Sequence, residues 1–207
     1  MKKKILICRC AEYGHIAAET LEKIAEEYAA ETLVWCDDLC RVAVENPNAM
    51  REYATANVCA ACYPRAVRAL FARHELEAPE QRDLRSVGQA TTNPVLAKQR
   101  ATQKEWVAWF PIIDRERCVD CAKCVDFCIF GVYAKDDTGR VTVVHPRQCK
   151  TDCPACARTC PRQAIIFPKC DETPIHGAEP STNTTAATGQ EKLAKLRSRR
   201  KVKLFRD

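Results

Sequence analysis

The cysteine spacing between positions 118 and 160 constrains this chain more than any other feature. Cys118-Val-Asp-Cys121-Ala-Lys-Cys124-Val-Asp-Phe-Cys128 has the form C-x2-C-x2-C-x3-C. Starting 31 residues later, Cys149-Lys-Thr-Asp-Cys153-Pro-Ala-Cys156-Ala-Arg-Thr-Cys160-Pro161 repeats it with one extra residue in the first gap. A loop this tight can wrap an iron–sulfur cube and present three thiolates to it, with backbone N–H groups aimed at the sulfurs. The fourth cysteine is expected to start the next helix, face away and ligate the other cube. On that logic Cys118, Cys121, Cys124 and Cys160 hold one [4Fe–4S] cluster, and Cys128, Cys149, Cys153 and Cys156 hold a second. Structural zinc is the competing chemistry, since paired C-x2-C motifs build four-thiolate sites. It would use only half of these cysteines or require two ions on unusual runs.

Fifteen cysteines in 207 residues need a chemical reason. Disulfides belong to oxidising compartments. The start, Met1-Lys-Lys-Lys-Ile-Leu-Ile-Cys-Arg, offers three apolar residues before Cys8, well short of a secretory signal. No stretch approaches the roughly 20 apolar residues of a membrane span. A cytoplasmic protein is expected, in which clustered cysteines are metal ligands or redox thiols. The formal charge of +6 is concentrated in the tail Glu191–Asp207, which carries eight basic and two acidic residues. The rest is balanced, and two thiolate-bound clusters would make it acidic. A basic tail suits docking to an acidic partner. A nucleic-acid role is disfavoured because no aromatic platform interleaves with the basic residues.

Three regions emerge. Residues 1–110 alternate short apolar runs with helical patterns, which predicts an α/β domain with a small parallel sheet. Expected strands are Lys4–Cys8, Thr32–Trp35 and Ala56–Ala61. Expected helices are His15–Ala30, Pro47–Tyr53 and Arg65–Leu76, with a further one near Pro94–Lys104. Residues 111–170 hold nine cysteines and, at Asp136-Asp-Thr-Gly139, a hairpin turn, which predicts a small α+β cluster-binding domain. Asp171–Gln190, rich in Pro, Ser, Thr, Gly and Ala, reads as a flexible linker. It leads to the basic tail, and linker and tail make up 171–207.

Residues 111–170 resemble a bacterial-type two-cluster ferredoxin, down to the close Cys160-Pro161-Arg-Gln-Ala-Ile-Ile. Ile129 stands where that family has proline after the fourth cysteine, and the Cys149–Cys153 gap is one residue longer. The resemblance implies single-electron transfer with a redox partner, either a flavoprotein or an oxidoreductase subunit. Lys123, Lys150 and Arg158 in the motifs would favour the more negative, reduced state.

Seven cysteines remain: Cys8, Cys10, Cys36, Cys40, Cys59, Cys62 and Cys170. Six of them fall near the carboxyl ends of the predicted strands, where open α/β sheets bind ligands. Cys62 also precedes a helix N-terminus, which favours thiolate. The residues Cys8-Arg-Cys10, Leu39-Cys40 and Ala61-Cys62-Tyr-Pro-Arg resemble the N-terminal domain of the heterodisulfide reductase A subunit. That resemblance implies a third [4Fe–4S] cluster on Cys8, Cys10, Cys40 and Cys62, with Cys36 and Cys59 spare. A thioredoxin-like dithiol at Cys59/Cys62, a zinc site, and small buried hydrophobes all remain open from the residues themselves. The dithiol reading would make the chain a thiol–disulfide or heterodisulfide reductase subunit.

No G-x-G occurs among the six glycines, so nothing cradles a dinucleotide. The four histidines, at 15, 74, 145 and 176, show no ligand spacing and are expected on surfaces or helices. No nucleophile–base pairing stands out, so no catalytic residue is assigned.

Overall fold

The computed structural model describes residues 2–85 and 106–180. The expected helix near Pro94–Lys104 and the basic tail lie outside the described residues.

Consecutive Ile5, Leu6 and Ile7 can be buried only in a strand covered on both faces, and all three are fully buried. They form the centre of β1 (Lys4–Cys8), flanked by β2 (Thr32–Cys36) and β3 (Val58–Ala61), with β4 (Glu80–Asp83) on the far side of β3. The order is β2-β1-β3-β4 and every pairing is parallel. Alternation divides the strand residues between two cores. Ile5, Ile7, Val58 and Ala60 face α1 (Ala18–Glu27) and the cysteine-rich region. Leu6, Cys8, Cys59 and Ala61 face α2 (Leu39–Glu45), α3 (Pro47–Tyr53) and α4 (Pro64–Ala72).

Local chemistry sets the helix starts. Asp38 caps α2 by accepting from Arg41 N, and Asn46 caps α3 by accepting from Ala49 N. Proline occupies the first turn of both α3 and α4, where a missing N–H costs nothing. Two elements depart from the sequence expectation. Helix α2, which carries Cys40, and strand β4 are absent from it, because both are short and β4 (Glu-Gln-Arg-Asp) has no apolar alternation.

The second half opens with the buried run Val107–Ile113 and forms β5 (Ile112–Ile113), which pairs antiparallel with β8 (Ile165–Ile166). Between them lie α5 (Lys123–Phe127), the hairpin β6 (Tyr133–Lys135) and β7 (Val141–Val143), a short 3-10 turn (Pro146–Gln148) and α6 (Ala155–Thr159). The β5–β8 ribbon alternates across both cores: Ile112 and Ile166 join the α4 side, Ile113 and Ile165 the other. The hydrophobic interior is therefore continuous between the α/β and cysteine-rich regions.

Polar ties reinforce this junction. Arg65 of α4, with its side chain 2% exposed, pairs with Asp114 at 2.7 Å and also donates to the Gln163 carbonyl. Residues 171–180 correct the linker expectation. Their composition suggests flexibility, but Gly177 and His176 are buried and Arg65 reaches the carbonyls of Pro174 and Ala178.

Gly177 tests this packing. Its φ is +108°, and an added Cβ would lie 2.7 Å from the Ala66 Cβ. Gly177→Ala is expected to destabilise by about 3 kcal/mol, from left-handed strain plus overpacking. Gly139→Ala, at φ +83° with nothing within 4 Å, carries the strain alone and should cost about 1 kcal/mol. Thermal midpoints of the two anaerobic, iron-loaded variants check the difference; equal midpoints would mean 171–180 is not packed against α4.

Candidate iron–sulfur sites

Backbone geometry shapes both cysteine loops. Asp120 and Ala122, on either side of Cys121, have φ of +49° and +61°, which curls the first loop tightly. Asp152, just before Cys153, has φ +59° and so corresponds to Asp120. The extra residue of the second motif is therefore taken up between Cys149 and Asp152. Proline cannot take positive φ, and Pro154 at the position of Ala122 has φ −93°. The loops match at the aspartate and differ beyond it.

Cys118, Cys121, Cys124 and Cys160 line one small cavity, walled by Ile113, Val141 and Ile165. Cys124 lies within electrostatic reach of Cys118 and Cys160, and burial pushes its thiol up to about 12. Cys149 lies within reach of Cys156, Cys128 and Cys153, and burial likewise pushes it up to about 12. The structure thus brings the two sets together in the crossed arrangement read from the spacing. The third cysteine of each motif sits inside the short helix, and the fourth, Cys128 or Cys160, is its C-terminal cap. This corrects the expectation that the fourth cysteine begins a helix.

Hydrogen bonds hold the loops in place. Asp120 Oδ1 accepts from Val141 N at 2.8 Å, tying the first loop to the hairpin. The Tyr133 hydroxyl donates to Cys156 Sγ at 3.1 Å, and Ala164 N donates to Cys160 Sγ at 3.4 Å. Of the three cations expected to bias the clusters, Arg158 is paired with Glu172. Lys123 and Lys150 are exposed.

A third group of thiols lies at the carboxyl edge of the parallel sheet. Cys8 ends β1 beside Cys36 at the end of β2, Cys62 follows β3, and Cys40 comes from the first turn of α2. Cys10, at φ +49°, starts a turn in which Tyr13 N and Gly14 N donate to its carbonyl. Cys62 lies within electrostatic reach of Cys10 and Cys8, and Cys40 of Cys62 and Cys10. Leu39 N, at the start of α2, donates to Cys8 Sγ at 3.3 Å. Cys59 pairs with Leu6 inside the sheet, fully buried, so five of the six thiols gather at the edge. Cys170 is buried in the core facing α1.

Burial raises these thiols. It is the first cause for Cys10, held at about 12, and for Cys40, Cys59 and Cys62, while for Cys8 a hydrogen bond with Cys36 leads. The expected thiolate-favouring helix dipole at Cys62 is outweighed. Four sheet-edge thiols that resist ionisation, Cys8, Cys10, Cys40 and Cys62, fit a ligand that brings its own cationic irons.

The sequence analysis missed the charges beside this third group. Lys169 forms ion pairs with Asp38 at 2.5 Å and Glu12 at 3.1 Å, all three side chains being 4% exposed or less. Arg41 also pairs with Glu12. These residues are scattered over 157 positions and carry no local signal. His15 and His176, expected at surfaces, are buried. Among the described residues no helix is long and apolar enough to cross a membrane.

Comparison with known proteins converges on the cysteine-rich region. Residues 95–165 match the family model of a 4Fe-4S dicluster domain. An uncharacterised ferredoxin of Methanocaldococcus jannaschii is 44% identical over 63 residues, 30% of this chain and 42% of that protein. The chain thus spans about two fifths of that relative's length. A second uncharacterised ferredoxin of the same organism is 37% identical over 58 residues, 27% of this chain and 74% of its own. The pyruvate synthase subunit PorD of that organism is 37% identical over 60 residues, 29% and 67% of the two chains.

The buried histidines predict a pH dependence. Burial, then Arg85, holds His15 and His176 down at about 4. Between about pH 6.5 and 4 the unfolded chain takes up protons that the folded one refuses, so stability falls with pH by about 1.4 kcal/mol per unit for each histidine. His15→Phe, which keeps the stacking on Tyr13, should remove about half of this slope. Denaturation midpoints from pH 7 to pH 4.5 check it; an unchanged slope would mean His15 titrates normally.

Proposed function

Because this chain belongs to the ferredoxin family with a 4Fe-4S dicluster domain, we propose that it relays single electrons to or from an oxidoreductase partner through three thiol-bound stations. The proposed ligands are Cys118, Cys121, Cys124 and Cys160 for the first and Cys128, Cys149, Cys153 and Cys156 for the second. The third, at the sheet edge, would use Cys8, Cys10, Cys40 and Cys62. A [4Fe–4S] cluster on four thiolates takes up and returns one electron.

The observation that carries the third station is the convergence of buried Cys8, Cys10 and Cys40 with half-buried Cys62 at the sheet's carboxyl edge. The likeness to the heterodisulfide reductase A subunit supports it, and that likeness also suggests a partner with flavin or disulfide chemistry. The pyruvate synthase subunit named above suggests that the partner is a multi-subunit oxidoreductase.

The packing also supports an order. Cys149 packs against the core that holds Cys8, Cys36 and Cys40. Tyr13, three residues after Cys10, lies within electrostatic reach of Asp152. Arg147 bridges to Glu45 of α2 at 2.7 Å. On this reading the second station is the neighbour of the third, and Tyr13, tilted at 33° to Trp109, lies beside them. The chain's own residues hold this space fixed, with buried Lys169 paired to Glu12 and Asp38 beside Tyr13, which limits reorganisation around a transferred charge.

A reductase acting through Cys59 and Cys62 fits less well. An attacking dithiol needs an accessible, low-pKa sulfur. Cys59 is fully buried and burial raises both thiols.

Iron and acid-labile sulfide after anaerobic purification test the proposal. About twelve of each per chain are expected, falling to about eight in the Cys10→Ala, Cys62→Ala double variant. The third-group thiols should resist alkylation until iron is chelated. A wild-type chain with about eight irons and a rapidly alkylated Cys59/Cys62 pair would overturn the third station in favour of the dithiol.

A further inference from the structure

Lys169 lies three residues beyond β8, in the cysteine-rich half, but its charge is spent in the other half. Its side chain is 1% exposed, and the ammonium also sits 5.0 Å from the Tyr13 ring centroid. Burying an ammonium is costly unless carboxylates accompany it. The two carboxylates that do so each hold a segment bearing one of the third group's cysteines.

Asp38 is the N-cap of α2, accepting from Arg41 N at 3.0 Å, and α2 carries Cys40. Glu12 follows Cys10 by two residues and accepts from Ala108 N at 2.9 Å. The Lys169 carbonyl meets His15 Nε2 at 3.3 Å, so the backbone holds the same Cys10–His15 turn from its other end. One lysine therefore fixes the relative positions of the Cys10 turn and the Cys40 helix.

Lys169 also supplies charge. Burial disfavours its protonated form, yet Asp38, then Cys40, Cys10 and Glu12 hold it above the ordinary lysine value. The ammonium is thus within electrostatic reach of two of the four proposed ligand sulfurs. Arg85 plays a similar part for Cys62.

We propose that Lys169 is the positioning and charge-balancing residue of the third cluster site, so that filling this site depends on the cysteine-rich half being folded first. The inference rests on reading the sheet-edge thiols as a cluster site. Removing the ammonium unlocks the Cys10 turn from the Cys40 helix and leaves two buried carboxylates facing thiolates. Both effects act on the third site and leave the other two sets untouched.

The test compares the full-length chain, its Lys169→Met variant and its Glu12→Gln variant, each reconstituted without oxygen with iron and sulfide. Lys169→Met is expected to lose about a third of its iron, from about twelve to about eight per chain. The retained eight report that the dicluster region is folded. Glu12→Gln removes one negative charge, so the third centre's midpoint potential should rise while the other two stay at wild-type values, as read by EPR-monitored redox titration. Wild type with only about eight irons would overturn the third site itself. Wild type and Lys169→Met both holding twelve irons, with three unchanged potentials, would overturn the role of Lys169 alone. Should Lys169→Met fail to fold, Glu12→Gln decides: an unmoved third potential overturns the proposal.

Discussion

A thiol buried away from water keeps its proton unless a cation arrives to hold the thiolate, and much of this structure follows from that constraint. Burial raises Cys10, Cys40, Cys62, Cys124 and Cys149 alike. Left empty, such groups would be small polarisable side chains of modest packing value. Filled by iron and sulfide, each becomes a cross-link between chain segments distant in sequence. On the proposed ligand sets, the first would join residues around 118 and 160, the second those around 128 and 149, and the third the ends of β1 and β3 with α2. Much of the fold energy of a region as small as 111–170 then comes from ligation rather than from its modest apolar core.

The same constraint explains where the buried charges lie. The continuous interior brings the α/β sheet against the cysteine-rich half, and ion pairs span the seam, Arg68–Glu179 at the surface among them. Arg65–Asp114 anchors α4 to the start of the first motif, and Lys169 with Glu12 and Asp38 anchors the other end beside the sheet-edge thiols. Arg147–Glu45 closes the gap near the second motif at the surface. Breaking a buried pair by removing one partner costs about 3–5 kcal/mol, so the two inner systems fix the orientation of the halves far more firmly than the outer ones. An electron path that crosses the seam needs such fixity, because transfer between stations depends on a constant separation.

Periodic and spaced features were legible in the sequence. Ile5-Leu6-Ile7 gave β1 with its observed bounds, Pro47 and Pro64 marked helix starts, and Asp136–Gly139 gave the β6–β7 turn. The cysteine spacing gave both sets that the structure brings together. What stayed hidden depends on contacts between distant residues. Nothing near Lys169 hints that it meets residues 12 and 38. The 171–180 segment looks like a linker because its Pro, Thr and Gly content is that of loops, and contacts with Arg65, Ala66, Arg68 and Arg158, distant in sequence, hold it down. Cys59 reads as an edge thiol until the register places it opposite Leu6, two residues inside the sheet.

The two dicluster loops share a motif but differ in surroundings. In the first, Asp120 is engaged by Val141 N and Arg115, so its charge is locally spent. In the second, the matching Asp152 lies towards Tyr13, and Arg158 is drawn away to Glu172. The second set therefore lies in the more negative surroundings, which disfavours adding an electron there. Exposure works the other way, since Phe127 and Ile129 beside Cys128 are 48% and 89% exposed, and water near a cluster favours its more negative, reduced form.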